Sequence, residues 1–241
     1  MILVNRVNLE PAFVLHTRAF KETSLIVDLF TKNLGRINVV AKGARRPKSP
    51  LKSVLTPSSL FAVSFSGKSE LKNLNACELL NHYSLSRPAS FNSIIYVNEL
   101  LIKATEKEDP HKRVFNQYQL FYEGLTVSKK GVEIEVLLRS FELLLLEELG
   151  YGIDLEFETI SGDKIRPEIS YEFDPSLGFT KLQNDLIKSK EVFLGKDILN
   201  FASGDLTEPS SRFTSKKIMR LALDYHLGNK SLNIRKYLSK K

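Results

Sequence analysis

Six cations, Arg36, Lys42, Arg45, Arg46, Lys48 and Lys52, follow one another in a stretch with no acidic residue between Asp28 and Glu70. Side chains of this type can neutralise the phosphates of an extended polyanion and release its counterions, without reading bases. Period-two alternation puts Arg36 and Lys42 on the outward face of a strand. Gly43 then opens Ala44-Arg45-Arg46-Pro47-Lys48-Ser49-Pro50, which reads as a mobile basic arm. The strand cations would set a groove and the arm would follow the backbone running through it. A second set, Arg212, Lys216 and Arg220, is spaced i, i+4, i+8 and drifts only about 80° around a helix, forming one stripe. Lys230, Arg235, Lys236, Lys240 and Lys241 prolong it, and Ile218, Leu221, Ala222 and Tyr225 fall on much of the opposite side, where the helix would pack. Among the aromatic residues near the first set, Phe13, Phe61 and Phe65 fit core patterns. Phe20 and Phe30, beside turns, are the two candidates for stacking on bases.

Other constellations do not survive inspection. His16, His82, His111 and His226 form no metal-binding pair, and no Gly-x-Ser-x-Gly elbow occurs. Gly67-Lys68-Ser69 resembles the end of a phosphate loop, but Ala62 stands where the first glycine is required. Cys77 sits in an alternating segment and reads as a small buried hydrophobe rather than a nucleophile. Glu133, Glu135, Glu142, Glu147 and Glu148 are explained by solvated helix faces more simply than by Mg²⁺ binding. The expectation is a protein with no catalytic residues, no metal and no cofactor.

The elements that must position the cations belong to an ordinary globular chain of 241 residues, 42% apolar and 26% charged. That length buries a core without disulfides, and one cysteine cannot form one internally. The start has no basic region before its apolar run. Leu143 to Leu146, the longest aliphatic stretch, is far short of a membrane span. A reducing cytosol is the expected location. Charge is segregated: residues 1 to 80 hold 12 basic and 5 acidic side chains, residues 81 to 200 hold 14 and 20, and residues 201 to 241 hold 9 and 3. Two basic ends around an acidic middle point to nucleic acid.

Hydrophobic periodicity is two up to about residue 80, with strands at Ala12 to Arg18, Leu25 to Phe30, Arg36 to Lys42, Phe61 to Phe65 and Leu71 to Leu79. Five short strands suit a small closed barrel. From about residue 90 the period is helical. Helices are expected at Asn92 to Glu108, Lys112 to Thr126, Val132 to Leu149, central to the core and stopped by Gly150, and Ser211 to Leu227, stopped by Gly228. Residues 151 to 185 read as loops with a short strand around Ile169 to Phe173. The domains predicted are 1 to 80 and 81 to 241, the second carrying that irregular segment and the basic C-terminal helices.

The order of motifs resembles the RecO family, bacterial mediators of recombination and DNA repair. It rests on Ala12 to Arg18, Glu22 to Thr31, Gly35-Arg36 and Val40 to Arg45, then Tyr96 to Leu101, Leu138 to Leu143 and Leu149 to Gly152, with Tyr171-Glu172-Phe173 and Gly178-Phe179 continuing it faintly. The resemblance implies an α+β, two-domain fold: an N-terminal OB-fold β-barrel, then a mainly α-helical domain with a loop-rich insertion. It also implies binding of single- and double-stranded DNA and annealing of complementary strands. With RecR, the protein would help load RecA onto strands coated by single-stranded-DNA-binding protein, in the cytoplasm and at the nucleoid. Some members carry a four-cysteine zinc site after the central helix. Residues 151 to 185 contain no cysteine, so no zinc is expected and packing must hold that region. Members also bind the acidic, apolar tail of the single-stranded-DNA-binding protein. Arg139, in the matching segment, is the candidate for its carboxylate, with Phe141 and the leucines as an apolar wall. The alternative for Arg139 is an i, i+4 pair with Glu135.

Two rival readings share part of this pattern. An RNA-binding barrel protein of translation or RNA decay has the same charge and fold class, and competition between RNA and DNA separates it. A metal-dependent nuclease built from scattered carboxylates predicts Mg²⁺-dependent strand cleavage.

Overall fold

A computed structural model describes residues 6–51, 55–85, 87–182, 191–228 and 232–234. The architecture is the α+β one expected, with a five-stranded OB-like barrel in front of the helices. Strands β1 (Arg6–Phe20), β2 (Ser24–Thr31), β3 (Gly35–Ala41), β4 (Ser59–Ser66) and β5 (Leu71–His82) close in the order β1-β2-β3-β5-β4. All pairs are antiparallel except β3 with β5. Alternation drives Ala12, Val14, Val27, Leu29, Ile37, Val39, Phe61, Val63 and Phe65 into the barrel interior. Each core aliphatic side chain withdrawn from water contributes roughly 1.5 to 3 kcal/mol.

Helices α1 (Pro88–Ala104) and α2 (Lys112–Val127) follow. The first starts four residues before the expected Asn92, because Pro88 suits a first helical position, and it stops at the extended Thr105. The first compact unit holds the barrel and both of these helices, running to Val127, and also takes in Leu232 to Ile234. An aromatic cluster is the physical reason. Phe13 of β1 stacks on Tyr122 of α2 at 5.1 Å and meets Tyr118 edge-on at 4.9 Å, while Phe30 of β2 packs 5.6 Å from Phe115. Glu99 of α1 accepts from the backbone N–H groups of Asn233 and Ile234 at 2.8 and 2.9 Å, which ties the later residues back.

The second unit spans Ser128 to Ser231. It contains α3 (Gly131–Glu148), a sheet ordered β7-β6-β8 from β6 (Ser170–Asp174), β7 (Gly178–Lys181) and β8 (Glu191–Leu194), then α4 (Gly195–Ser203) and α5 (Pro209–His226). Strand β6 falls where residues 151 to 185 were expected to carry a short strand, and β7 is a second strand in that segment. Tyr171, Phe173, Phe179 and Phe193 are buried on one side of that sheet. In α3, Ile134, Phe141, Leu145 and Leu146 are buried, but Val136, Leu137, Leu138, Leu144 and Leu149 are only half-buried. The helix is therefore less enclosed within this unit than its apolar circumference suggests.

Candidate nucleic-acid interface

The side chains of β1, β2 and β3 that point away from the barrel interior form rows, because the strands pair in register. Phe13, Phe30 and Arg36 make one row, His16, Asp28 and Asn38 the next, and Arg18, Ile26 and Val40 the third. Phe20 and Ser24 close the hairpin beyond them. The first row is covered by the α2 aromatics and by the connection between α1 and α2. Further along the face, Arg18 and Lys42 are exposed and Phe20 is half-exposed, over a floor in which Ile26 and Val40 are buried.

Arg36 is a correction to the sequence reading. It does point outward from the barrel, but it is 8% exposed, and its guanidinium donates to the Thr105 carbonyl at 2.6 Å and to Thr105 Oγ1 at 3.0 Å. Burial pulls its pKa below the ordinary guanidinium value, with Asp28 and Glu106 working the other way. Alternation assigns a side of a strand; it does not say whether that side is covered. The same connection is anchored by buried Lys72, whose ammonium lies 2.5 Å from Glu108, and by an ion pair of Lys107 with Glu70.

The basic segment after β3 is likewise not a free arm over its described residues. Ala44 is fully buried in the barrel core, Leu55 joins it and Leu51 packs against it. The Arg45 N–H donates to the Thr23 carbonyl at 2.8 Å, and the Arg45 guanidinium donates to the Lys21 carbonyl at 3.3 Å. Turns return Arg46 to Gly43 and Ser49 to Arg46. Lys42, Arg45, Arg46 and Lys48 are exposed on this folded connection, and the bonds from Arg45 join it to the β1–β2 turn, which adds exposed Lys21 and Glu22. Arg18 and Lys21 were missed from sequence, since they lie more than 20 residues before Lys42. Lys52, Lys230, Arg235, Lys236, Lys240 and Lys241 lie outside the described residues.

Of the two stacking candidates, Phe30 is 0% exposed within the aromatic cluster, which removes it. Cys77 is half-buried against the barrel core, and burial pushes its thiol up to about 11, so it is a poor nucleophile at neutral pH.

In the second unit, Lys216 and Arg220 are exposed on α5, with Arg220 3.9 Å from Asp224. Arg212 departs from the stripe: it donates to the carbonyls of Leu206 and Thr207 at 3.3 and 3.0 Å and lies 3.8 Å from Glu135. Carbonyls of the turn ahead of the helix attract it, an effect invisible to i, i+4 counting. The packed face of α5 is Ser211, Thr214, Ser215, Ile218, Met219 and Ala222, whereas Tyr225 is 56% exposed. Phe213, 67% exposed beside these cations, is a residue that charge counting overlooked.

Arg139 pairs with Glu142, at 3.1 Å, and not with Glu135. The pair is enclosed, with side-chain exposures of 13% and 1%, and Arg139 Nε has no hydrogen-bond partner among the described residues. Phe141 is fully buried, so it lies in the core and does not wall an open pocket. Arg139→Ala takes the cation from a buried carboxylate, an expected loss of roughly 3 kcal/mol. Thermal unfolding checks this: the midpoint should fall, and the double variant Arg139→Met with Glu142→Leu should recover most of the loss. An unchanged midpoint for Arg139→Ala would contradict it.

Among the described residues no group of three His, Cys, Asp or Glu side chains could hold a metal ion, and no helix is long and apolar enough to cross a membrane. Two family models match the chain, "Recombination protein O N terminal" over residues 7–83 and "Recombination protein O C terminal" over residues 91–235. Curated relatives agree over nearly the full length. The chain is 36% identical to the DNA repair protein RecO of Actinobacillus pleuropneumoniae serotype 7 over 228 residues, covering 95% of this chain and 93% of that one. It is 38% identical to the DNA repair protein RecO of Nitrosospira multiformis over 229 residues, covering 95% and 93%. To that of Actinobacillus succinogenes it is 40% identical over 224 residues, covering 92% of each.

Proposed function

Since the chain belongs to the RecO family of DNA repair proteins, we propose that it is a recombination mediator that binds single- and double-stranded DNA without sequence specificity. It anneals complementary strands and, with RecR, helps load RecA onto DNA coated by single-stranded-DNA-binding protein. The observation that carries this reading is the open end of the β1–β2–β3 face. There Arg18, Lys21, Lys42, Arg45, Arg46 and Lys48 are all exposed, with Glu22 as the only acid in the two turns that hold five of them. Such a surface engages phosphates and offers no rigid array for base edges. Lys216 and Arg220 on α5 supply a second, weaker contact. Two strands held by their phosphates repel each other less, and annealing is downhill, so no nucleotide hydrolysis is needed.

The acidic tail of single-stranded-DNA-binding protein is assigned to Arg139, whose guanidinium also holds Glu142 at 3.1 Å and whose side chain is 13% exposed. Arg139→Lys keeps the charge and loses the planar fork, so it separates recognition from folding. An intact fold with undiminished tail-peptide affinity would refute that assignment. The central experiment is fluorescence-detected annealing of complementary strands, bare and coated, in EDTA and without ATP. Acceleration on coated strands is expected. No acceleration despite DNA binding would refute the mediator reading.

A further inference from the structure

The half-exposed ring of Phe20 stands apart from the other aromatic residues of the barrel. Of the five phenylalanines between residues 6 and 82, Phe13, Phe30 and Phe61 are 0% exposed and Phe65 is 1% exposed. Phe20 is only half-buried, at the last pair of the β1–β2 hairpin, opposite Ser24. Its surroundings are cationic. The Lys21 ammonium lies 5.4 Å from the ring centroid, Arg18 is exposed on the same side of the strand, and Arg45 donates to the Lys21 carbonyl. Arg45 also holds the Thr23 carbonyl through its own N–H, so the turn that presents Phe20 is braced by the basic connection.

We infer that Phe20 is a stacking platform for an unpaired base, which makes this end of the barrel prefer single-stranded over duplex DNA. This deepens the proposed function and rests on the barrel being a DNA-binding surface. A half-exposed aromatic ring beside exposed cations matches a single strand, whose bases are free to leave their neighbours while its phosphates are neutralised. Bases in a duplex are already stacked on both sides and present no open face, so the cations can serve them but the ring cannot. The cation–π contact with Lys21 orients the ring before binding. The flexible lysine stem lets the ammonium move to a phosphate when a base arrives. Phe30, near the end of β2, cannot act this way because α2 covers it.

The chain contains eight tyrosines and no tryptophan, so Phe20→Trp introduces a single tryptophan at the platform, whose emission is excited selectively at wavelengths that tyrosine does not absorb. With a thymidine oligonucleotide its emission should be strongly quenched, and with a duplex of equal length much less so. Phe20→Ala should weaken single-strand binding about tenfold while changing duplex binding by less than about twofold and leaving both salt slopes intact. Phe20→Tyr should retain the wild-type affinity, whereas Phe20→Leu, apolar but without a π-face, should behave like Ala. Equal quenching by both ligands, or equal effects of Phe20→Ala on both, would overturn the inference while leaving the DNA-binding reading in place. A wild-type protein that binds neither ligand would overturn that reading itself.

Discussion

Replacing Arg45, Arg46 and Lys48 together with alanine is expected to weaken DNA binding about a hundredfold at physiological salt, for all sequences alike. Three phosphate contacts are removed, so the slope of log affinity against log salt should flatten by roughly 2 to 3. The fold should survive, because these side chains are exposed and the connection is held by Ala44, Leu51, Leu55 and backbone bonds. Arg36→Ala should do the opposite. It leaves the salt slope unchanged and destabilises the protein, since its guanidinium bonds Thr105 inside the fold. Filter binding across a salt series, with thermal unfolding alongside, checks both. A triple variant with an unaltered slope would show that the phosphates lie elsewhere.

Gly35→Ala is expected to cost about 3 kcal/mol, which in a protein of this size lowers the unfolding midpoint by roughly 6 to 12 °C. Gly35 opens β3 with φ +69°, and a Cβ there would lie 2.2 Å from the carbonyl oxygen and 2.6 Å from the nitrogen of Asp109. These are backbone atoms and cannot swing aside. The connection between α1 and α2 would have to lift, dragging on the N–H bond from Glu108 to the Arg36 carbonyl and on the Thr105 contacts. Gly162→Ala is the control. Its φ is +73°, but nothing lies within 4 Å of the added Cβ, so only the backbone conformational cost of about 1 kcal/mol applies. Equal midpoints for the two variants would refute the collision.

Much of the scaffold was legible along the chain. All five barrel strands were placed, because a strand that faces a core on one side declares itself by alternation over a few residues. Lys112–Val127 and Gly131–Glu148 were placed within a residue or so. Helix α4 was missed: its nine residues are too few to show a repeating stripe. Strands β7 and β8, four residues each, escaped for the same reason.

By itself the sequence determined the order of barrel strands and helices, the segregation of charge, and the family, since each is written in neighbouring residues or in the linear order of motifs. Only the tertiary structure decided which cations remain available. Arg36 and Lys42 share an outward face, yet Thr105, 69 residues further along, covers the first and leaves the second in water. The same long-range coverage buries Phe30 under α2 and spares Phe20. Arg212 turns to carbonyls ahead of its own helix, and Arg139 settles on the buried Glu142. Periodicity records the side on which a residue stands; what comes to rest against that side depends on segments far away in the chain.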